Sequence, residues 1–253
     1  MAKLTDIVAF LNQTLDLAAV PGDVSNNGLQ VEGAAEVTKV VGGVDGCLAL
    51  YQGAAAAGAD LVVVHHGESW GTGHKYFTGR IGGRLDQLFR AEMSLYAAHL
   101  PLDAHPTLGH NAQIADRLEL RHREPFAEYA GVKVGLIGDL PEPLGAESLA
   151  AQVNAVLDTE CRVIDFADAP ISRIGVVSGS GTSALEESQK RGCQALITGD
   201  VSHTDYHTIR ELGGCLIVAG HYKTEYPGIL AVLDLLATEF GVETEFIDLP
   251  TGL

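Results

Sequence analysis

The chain has no apolar run approaching the ~20 residues that a membrane-spanning helix needs, and no Cys-x-x-Cys pair. Its opening residues, MAKLTDIVAFLNQ, hold no long apolar stretch ahead of polar ones, so a secretory signal is not expected there. The four cysteines (Cys47, Cys161, Cys193, Cys215) stand apart among apolar or small residues, the pattern of buried free thiols in a reducing compartment. Positive charge is scarce: 16 Lys plus Arg face 33 Asp plus Glu, a formal net charge of −17. Such a surface repels phosphate backbones and anionic lipid. The densest basic stretch, Arg117 to Arg123, is itself broken by Glu119. The expectation is a cytoplasmic protein that binds a small molecule rather than a membrane or nucleic acid.

Apolar material is not scarce. Hydrophobic residues make up 46% of the 253 and charged residues 19%, enough for one large core or two modest ones. Residues 4–14 read as a helix with Ile7, Phe10 and Leu11 on one face. Beyond a Pro- and Gly-containing loop, short apolar runs alternate with helical patterns. Val40–Val44, Leu61–Val64 and Leu95–Ala98 read as strands, with helices over Cys47–Ala57 and Ile81–Ala91. Strands at Ile174–Val177, Ala195–Thr198 and Cys215–Ala219 follow, with helices over Thr182–Lys190 and His203–Leu212. Further strand and helix patterns lie between Val132 and Ala169. Such alternation indicates an α/β fold with parallel strands.

The two stretches also match each other. Gly58-Ala59-Asp60-Leu61 aligns with Gly192-Cys193-Gln194-Ala195 at an offset of 134, and Ala97-Ala98-His99 with Ala219-Gly220-His221 at an offset of 122. In the second match Asp103 and Glu225 each follow their histidine by four residues. The repeat predicts two similar α/β halves, 1–125 and 126–253, with a C-terminal segment packing back onto the first and a shared cleft between them.

The residues able to do chemistry gather at the predicted strand ends. His65-His66 close an apolar run and precede Gly67, and the carboxyl end of a parallel strand is where open α/β sheets place ligands. On an extended chain the two rings would point to opposite sides and could serve two ions. A hydrogen-bonded polar cap on the strand fits the same placement. His99-x-x-x-Asp103 and His221-x-x-x-Glu225 read as strand-end loops, because Pro101 interrupts the first and Pro227 follows the second. Their carboxylates suit either a bridge between two cations or a helix N-terminus. His105 and His110 flank the Asp103 loop and are candidate supporting residues. His74 lies in a Gly-rich loop, His203 and His207 on a predicted helix, and His122 among charged residues; these read as surface. Asn27-Gly28-Leu29-Gln30-Val31 is a turn leading into a strand whose polar side chains are candidate substrate contacts. Gly42-Gly43 and Ser178-Gly179-Ser180-Gly181 fit an anion cradle or a tight turn equally.

At these positions the sequence resembles the NGG-interacting-factor-like dinuclear-metal family, often labelled GTP cyclohydrolase I type 2. The matching stretches are Asn27 to Val31, Val64-His65-His66, Ala97 to Asp103, Thr198-Gly199-Asp200 and Ala219 to Gly228. The last is the most specific. The resemblance implies two divalent metal ions held by His65, His66, Asp103, His221 and Glu225, with His99 and Asn27 supporting them. Three histidines and two carboxylates suit zinc, iron, manganese or nickel alike. It also implies two α/β halves with the dinuclear site in the cleft between them, and a ring-like homohexamer. The implied activity is hydrolysis by a metal-bridging hydroxide, of GTP or of a phosphoester; a non-catalytic metal-binding regulatory or assembly role is the alternative. Two departures stand out: Gly67-Glu68-Ser69-Trp70 after the histidines, and Asn26 where relatives commonly have Asp. Both bear on substrate choice.

Overall fold

The structure is a computed structural model that describes residues 1–167 and 169–253. A short strand β1 (Ala2–Lys3) leads into helix α1 (Leu4–Thr14), then strands β2 (Gly28–Val31), β3 (Glu36–Val37) and β4 (Lys39–Asp45). Helix α2 (Leu48–Ala56), β5 (Leu61–His66), α3 (Gly79–Arg90) and β6 (Ser94–Ala97) continue the alternation. A single turn α4 (Leu100–Asp103) and helix α5 (His110–Arg117) precede the hairpin of β7 (Arg121–Tyr129) and β8 (Val132–Leu144). Next are α6 (Ala146–Leu157), β9 (Arg162–Asp165), β10 (Ile171–Val177), α7 (Leu185–Lys190) and β11 (Ala195–Thr198). Last are α8 (Asp205–Glu211), β12 (Cys215–Val218), α9 (His221–Phe240) and β13 (Glu243–Phe246).

The chain divides into two compact units, Met1–Leu102 with Ile229–Leu249, and Asp103–Gly228 with Pro250–Leu253. The break expected after residue 125 instead falls inside β7, where Pro125 lies opposite Leu136 of β8. An antiparallel ladder runs through that point, so the chain cannot part there.

In the first unit one sheet has the order β13-β4-β5-β6-β2. Its first four strands are parallel, and β2 is an antiparallel edge. Leu61 to Val64 are all buried, as a strand covered on both faces should be. Each fully buried Val or Leu contributes about 1.5–3 kcal/mol. The Gly42-Gly43 pair in β4 is a packing device rather than an anion cradle. A Cβ at Gly42 would come within 2.7 Å of Leu233 in α9, and one at Gly43 within 2.7 Å of Leu50 in α2. Neighbouring residues of a strand face opposite ways, so the pair lets a helix approach closely on each face.

The second unit has a six-stranded sheet of order β7-β8-β10-β11-β12-β9. Here β10, β11 and β12 are parallel, with antiparallel β8 and β9 beside them. One apolar cluster joins Ile114 of α5, Leu118 just after it, and Leu149 and Val153 of α6 to Ile174, Ile197 and Ile217. Another joins Leu185 of α7 and Ile209 of α8 to Phe126, Ile137 and Leu196.

The residues that open β5 and β11 do the same job in the two units. Asp60 Oδ2 accepts the backbone N–H groups of Thr38 and Lys39, at 2.7 and 3.0 Å. Gln194 Oε1 accepts those of Ser172 and Arg173, both at 2.9 Å. Each side chain thereby satisfies the start of the strand next to its own.

The loops expected at the two His-x-x-x-carboxylate motifs are helical instead. α4 starts directly after His99 and ends on Asp103, and α9 starts on His221 and carries Glu225 in its second turn. Pro101 sits in the first turn of α4, where a missing N–H costs nothing. Pro227 lies inside α9, and the next N–H, that of Gly228, is received by the His110 ring at 3.0 Å.

Candidate metal centre

The histidines of the first unit sit where β5 and β6 end. His65 is fully buried and its Nδ1 lies 2.9 Å from the Ala98 carbonyl oxygen. His66, the last residue of β5, places Nδ1 2.8 Å from Asp45 Oδ1 at the end of β4. His99 Nδ1 is 2.9 Å from Asp23 Oδ1. Each partner can only accept, so each Nδ1 donates, and in the neutral ring the lone pair is on Nε2. Such outer hydrogen bonds orient metal-binding imidazoles and raise their basicity.

The three rings gather together. Ring centroids are 4.6 Å apart for His65–His66, 5.0 Å for His65–His99 and 5.6 Å for His66–His99. One nitrogen from each lies within 4.8 Å of the others. The opposite-facing rings expected of an extended chain are therefore not seen. The strand ends at His66, and Asp45 draws that ring toward the strand tips.

Asp23 anchors this corner. Burial raises its pKa, but hydrogen bonds from His99, Asn27 and the Ser25 N–H outweigh that and hold it at about 2. Asn27 Nδ2 donates to Asp23 at 2.8 Å, while its Oδ1 accepts the His99 N–H at 2.7 Å. Asn27 thus steadies the backbone of His99. Gln30 is structural too: its Oε1 accepts the N–H groups of Glu68 and Ser69, at 2.7 and 3.0 Å.

In the second unit Asp103 and Glu225 are buried carboxylates, 9% and 4% exposed. Asp103 Oδ1 accepts the Ser178 hydroxyl at 3.1 Å. Ser178 is held in turn by Asn111, whose Oδ1 accepts its N–H at 2.7 Å. His221 Nδ1 lies 2.6 Å from Asp200 Oδ2, and its Nε2 lies 3.1 Å from Glu225 Oε1. Glu225 first, then Asp200, raise the His221 pKa to about 10 against the opposing effect of burial. A divalent cation would take the place of the proton that these groups attract. Gly179 (φ 60°) leaves room for the pair, since a Cβ there would meet Glu225 Oε1 and His221 Nε2. Gly179 therefore packs directly against Glu225.

Buried carboxylates and imidazoles whose Nδ1 faces an acceptor are groups that could hold a divalent cation. The chain matches the family model Duf34/NIF3 (NGG1p interacting factor 3) over residues 2–251.

It belongs to the Duf34/NIF3 family.

Relatives of this NIF3-family chain include a "GTP cyclohydrolase 1 type 2 homolog" of Pyrococcus abyssi, 44% identical over 98% of both chains. A Halobacterium salinarum protein with the same name is 42% identical over 99% of both. Among solved structures, TTHA1606 from Thermus thermophilus superposes with a TM-score of 0.89 at 34% identity, covering 100% of both chains. The protein ybgI, described as of unknown function, gives 0.92 at 35% identity and the same coverage.

Elsewhere in the NIF3-family chain, the Glu68 side chain is buried, with Oε1 3.0 Å from both Tyr51 Oη and Arg84 Nη1. Asn26 Nδ2 donates to Ser69 Oγ at 2.7 Å. Both departures thus fasten the loop that carries Trp70, whose ring centroid is 5.1 Å from that of His99. His74 reaches the Glu68 carbonyl at 2.6 Å, and His105 Nδ1 accepts the Leu108 N–H at 2.9 Å. His122 pairs with Asp139, and His203 and His207 are exposed.

Asp23, Asp45 and Asn111 were not legible as site residues, and Ser178 was legible only as part of a candidate anion cradle or tight turn. The signal available was indirect: a ligating histidine needs an acceptor for Nδ1, and Asp45 and Asp200 both stand at the ends of strands beside the histidine-bearing ones.

Proposed function

We propose that this chain is a metal-dependent hydrolase in which His65, His66, Asp103, His221 and Glu225 hold two divalent cations per chain. The observation that carries the reading is the common wiring of the three histidines. In each, Nδ1 is engaged by a carbonyl or carboxylate, which leaves Nε2 as the nitrogen a cation would take, at His221 in place of the proton shared with Glu225. His99, wired the same way through Asp23, supports them. When bound, two cations supply Lewis acidity and lower the pKa of a water. The protein's own groups do the rest. Asp103 and Glu225 provide negative charge that offsets the cations, Ser178 orients Asp103, and Asp45 and Asp200 orient His66 and His221.

GTP is the first substrate to test, because the relatives above carry the name of a GTP cyclohydrolase homologue. Hydrolytic opening of a purine ring and phosphoester hydrolysis both draw on the same chemistry. Zinc, iron, manganese and nickel all suit the donors. We extend the proposal to a ring-like homohexamer and to an origin of the two units by duplication. The shared parallel trio of strands and the matching roles of Asp60 and Gln194 at the same offset support the duplication. Sedimentation analysis tests the assembly: a monomer at micromolar concentration would remove the hexamer.

Elemental analysis of the purified chain should find up to two divalent ions, with GTP consumption that needs added metal and is lost in Asp103→Asn. Metal near zero after supplementation would remove the centre. Full metal without turnover of GTP or a phosphoester would instead favour a non-catalytic metal-binding role.

A further inference from the structure

His110 is wired the opposite way from the histidines assigned to the cations. It is the first residue of α5 and is fully buried. Its Nδ1 accepts the backbone N–H of Gly228 at 3.0 Å. A ring nitrogen that accepts a backbone N–H carries no proton, so the proton of the neutral ring lies on Nε2. Packing holds the ring in that sense. A Cβ on Gly228 would sit 2.7 Å from His110 Nδ1 and 2.9 Å from Cε1, so the imidazole lies hard against the glycine. Flipping the ring would set carbon against the buried Gly228 N–H and strand that donor.

The place of this ring gives it a use. A ring nitrogen of His110 and a carboxylate oxygen of Asp103 lie within 4.8 Å of each other. The next residue, Asn111, donates to Ser178 Oγ at 3.2 Å, and that hydroxyl donates to Asp103 Oδ1. The first two residues of α5 are therefore both directed at the surroundings of Asp103. We propose that His110 is a hydrogen-bond donor to a substrate oxygen lying beside Asp103, with its proton fixed on Nε2, and that it is not a metal ligand. Its location at a reaction centre rests on the metal-site reading above. A neutral imidazole N–H stabilises negative charge on an oxygen without adding charge to the site. The substrates that gain from it are those with a carbonyl or phosphoryl oxygen at the reacting centre.

The test uses the full chain loaded with zinc, as wild type, His110→Leu and His110→Gln. Nitrogen-15 NMR of the imidazoles should show His110 protonated on Nε2 and bare on Nδ1. Zinc content should be the same in all three proteins. Inorganic phosphate, followed by calorimetry, should bind about tenfold more weakly to His110→Leu. His110→Gln, whose amide N–H reaches to where Nε2–H was, should recover affinity to within about threefold of wild type. A purely structural role would not be rescued in this way. An unprotonated Nε2, loss of a zinc ion in His110→Leu, or unchanged phosphate affinity in that variant would each overturn the assignment. A wild-type chain that takes up no zinc would overturn the metal reading instead. The tautomer is then measured on the metal-free chain, where a proton on Nδ1 would overturn the donor role as well. If His110→Leu does not fold, the wild-type tautomer and the zinc content of His110→Gln still decide.

Discussion

At one end of the first unit's parallel strands Asp45 accepts a hydrogen bond from His66; at the other, Asp60 accepts from the backbone of Thr38 and Lys39. The residue type is the same and the work is different. The carboxyl ends of β4, β5 and β6 gather side chains that can bind, and the amino ends gather groups that satisfy backbone. The second unit repeats the contrast, with His221 and Asp200 following the tips of β12 and β11 and Gln194 at the start of β11. Substitutions at one end should therefore move metal content and leave stability nearly alone. Substitutions at the other should do the reverse.

The sharpest break in that contrast would come from the carboxylates themselves. Asp103→Asn keeps the side chain's shape and removes the charge that offsets a cation, so at least one metal equivalent should be lost. Glu225→Gln should do the same. The double variant should lose little more than either single one, the non-additivity of residues that act as a unit. If both were helix-terminal residues only, each would cost about 1 kcal/mol independently, with metal content intact. Metal titration of the three variants distinguishes these outcomes.

A smaller effect is expected one step outward. Asp45→Asn and Asp200→Asn leave the ligands in place but weaken the acceptor on Nδ1, so metal affinity should fall about 10–100-fold. Thermal unfolding of the metal-free chains should hardly change. A variant that unfolds easily yet binds metal normally would reverse the roles given to the two ends. Gly179→Ala joins both kinds of effect. It forces a side chain into a left-handed conformation at a cost on the order of 1–3 kcal/mol, and displaces Glu225 as well. Unfolding and metal titration of one preparation should show both losses.

Local signals reached the six core strands and the metal candidates because Val-rich runs and strand-end histidines are local. What they missed depends on residues far apart in sequence. The helix through Pro227 goes with the reception of the Gly228 N–H by His110, a partner 118 residues away. Gly42-Gly43 fits an anion cradle or a tight turn until Leu233 and Leu50 are seen against it. The boundary expected after residue 125 falls within β7, a largely exposed strand that pairs along β8. For the histidines, residue type suggested ligands, but only the partner of each Nδ1 tells a ring whose Nδ1 faces an acceptor, such as His66, from one whose Nδ1 accepts an N–H, such as His110.

The smallest effect tests whether Asp60 and Gln194 do the same work. Asp60 is partly exposed; burial nudges its pKa up, but hydrogen bonds from the Thr38 hydroxyl and from the N–H groups of Thr38 and Lys39 bring it below the ordinary 3.8. A depressed folded value means that the ionised form stabilises the fold. That contribution is complete above the unfolded value and is lost as pH falls through the lower folded one. Asp60→Ala should therefore cost about 1 kcal/mol at pH 7, a modest figure because solvent screens the site. The difference from wild type should shrink in acid as the wild-type carboxylate is itself protonated. Gln194→Ala removes the same kind of acceptor without a titrating group, so its cost should stay level over the same range. Urea unfolding of the three proteins at neutral and acid pH measures both. A Gln194→Ala cost that faded with acid, or an Asp60→Ala cost that did not, would mean that the two side chains hold their strands by different means.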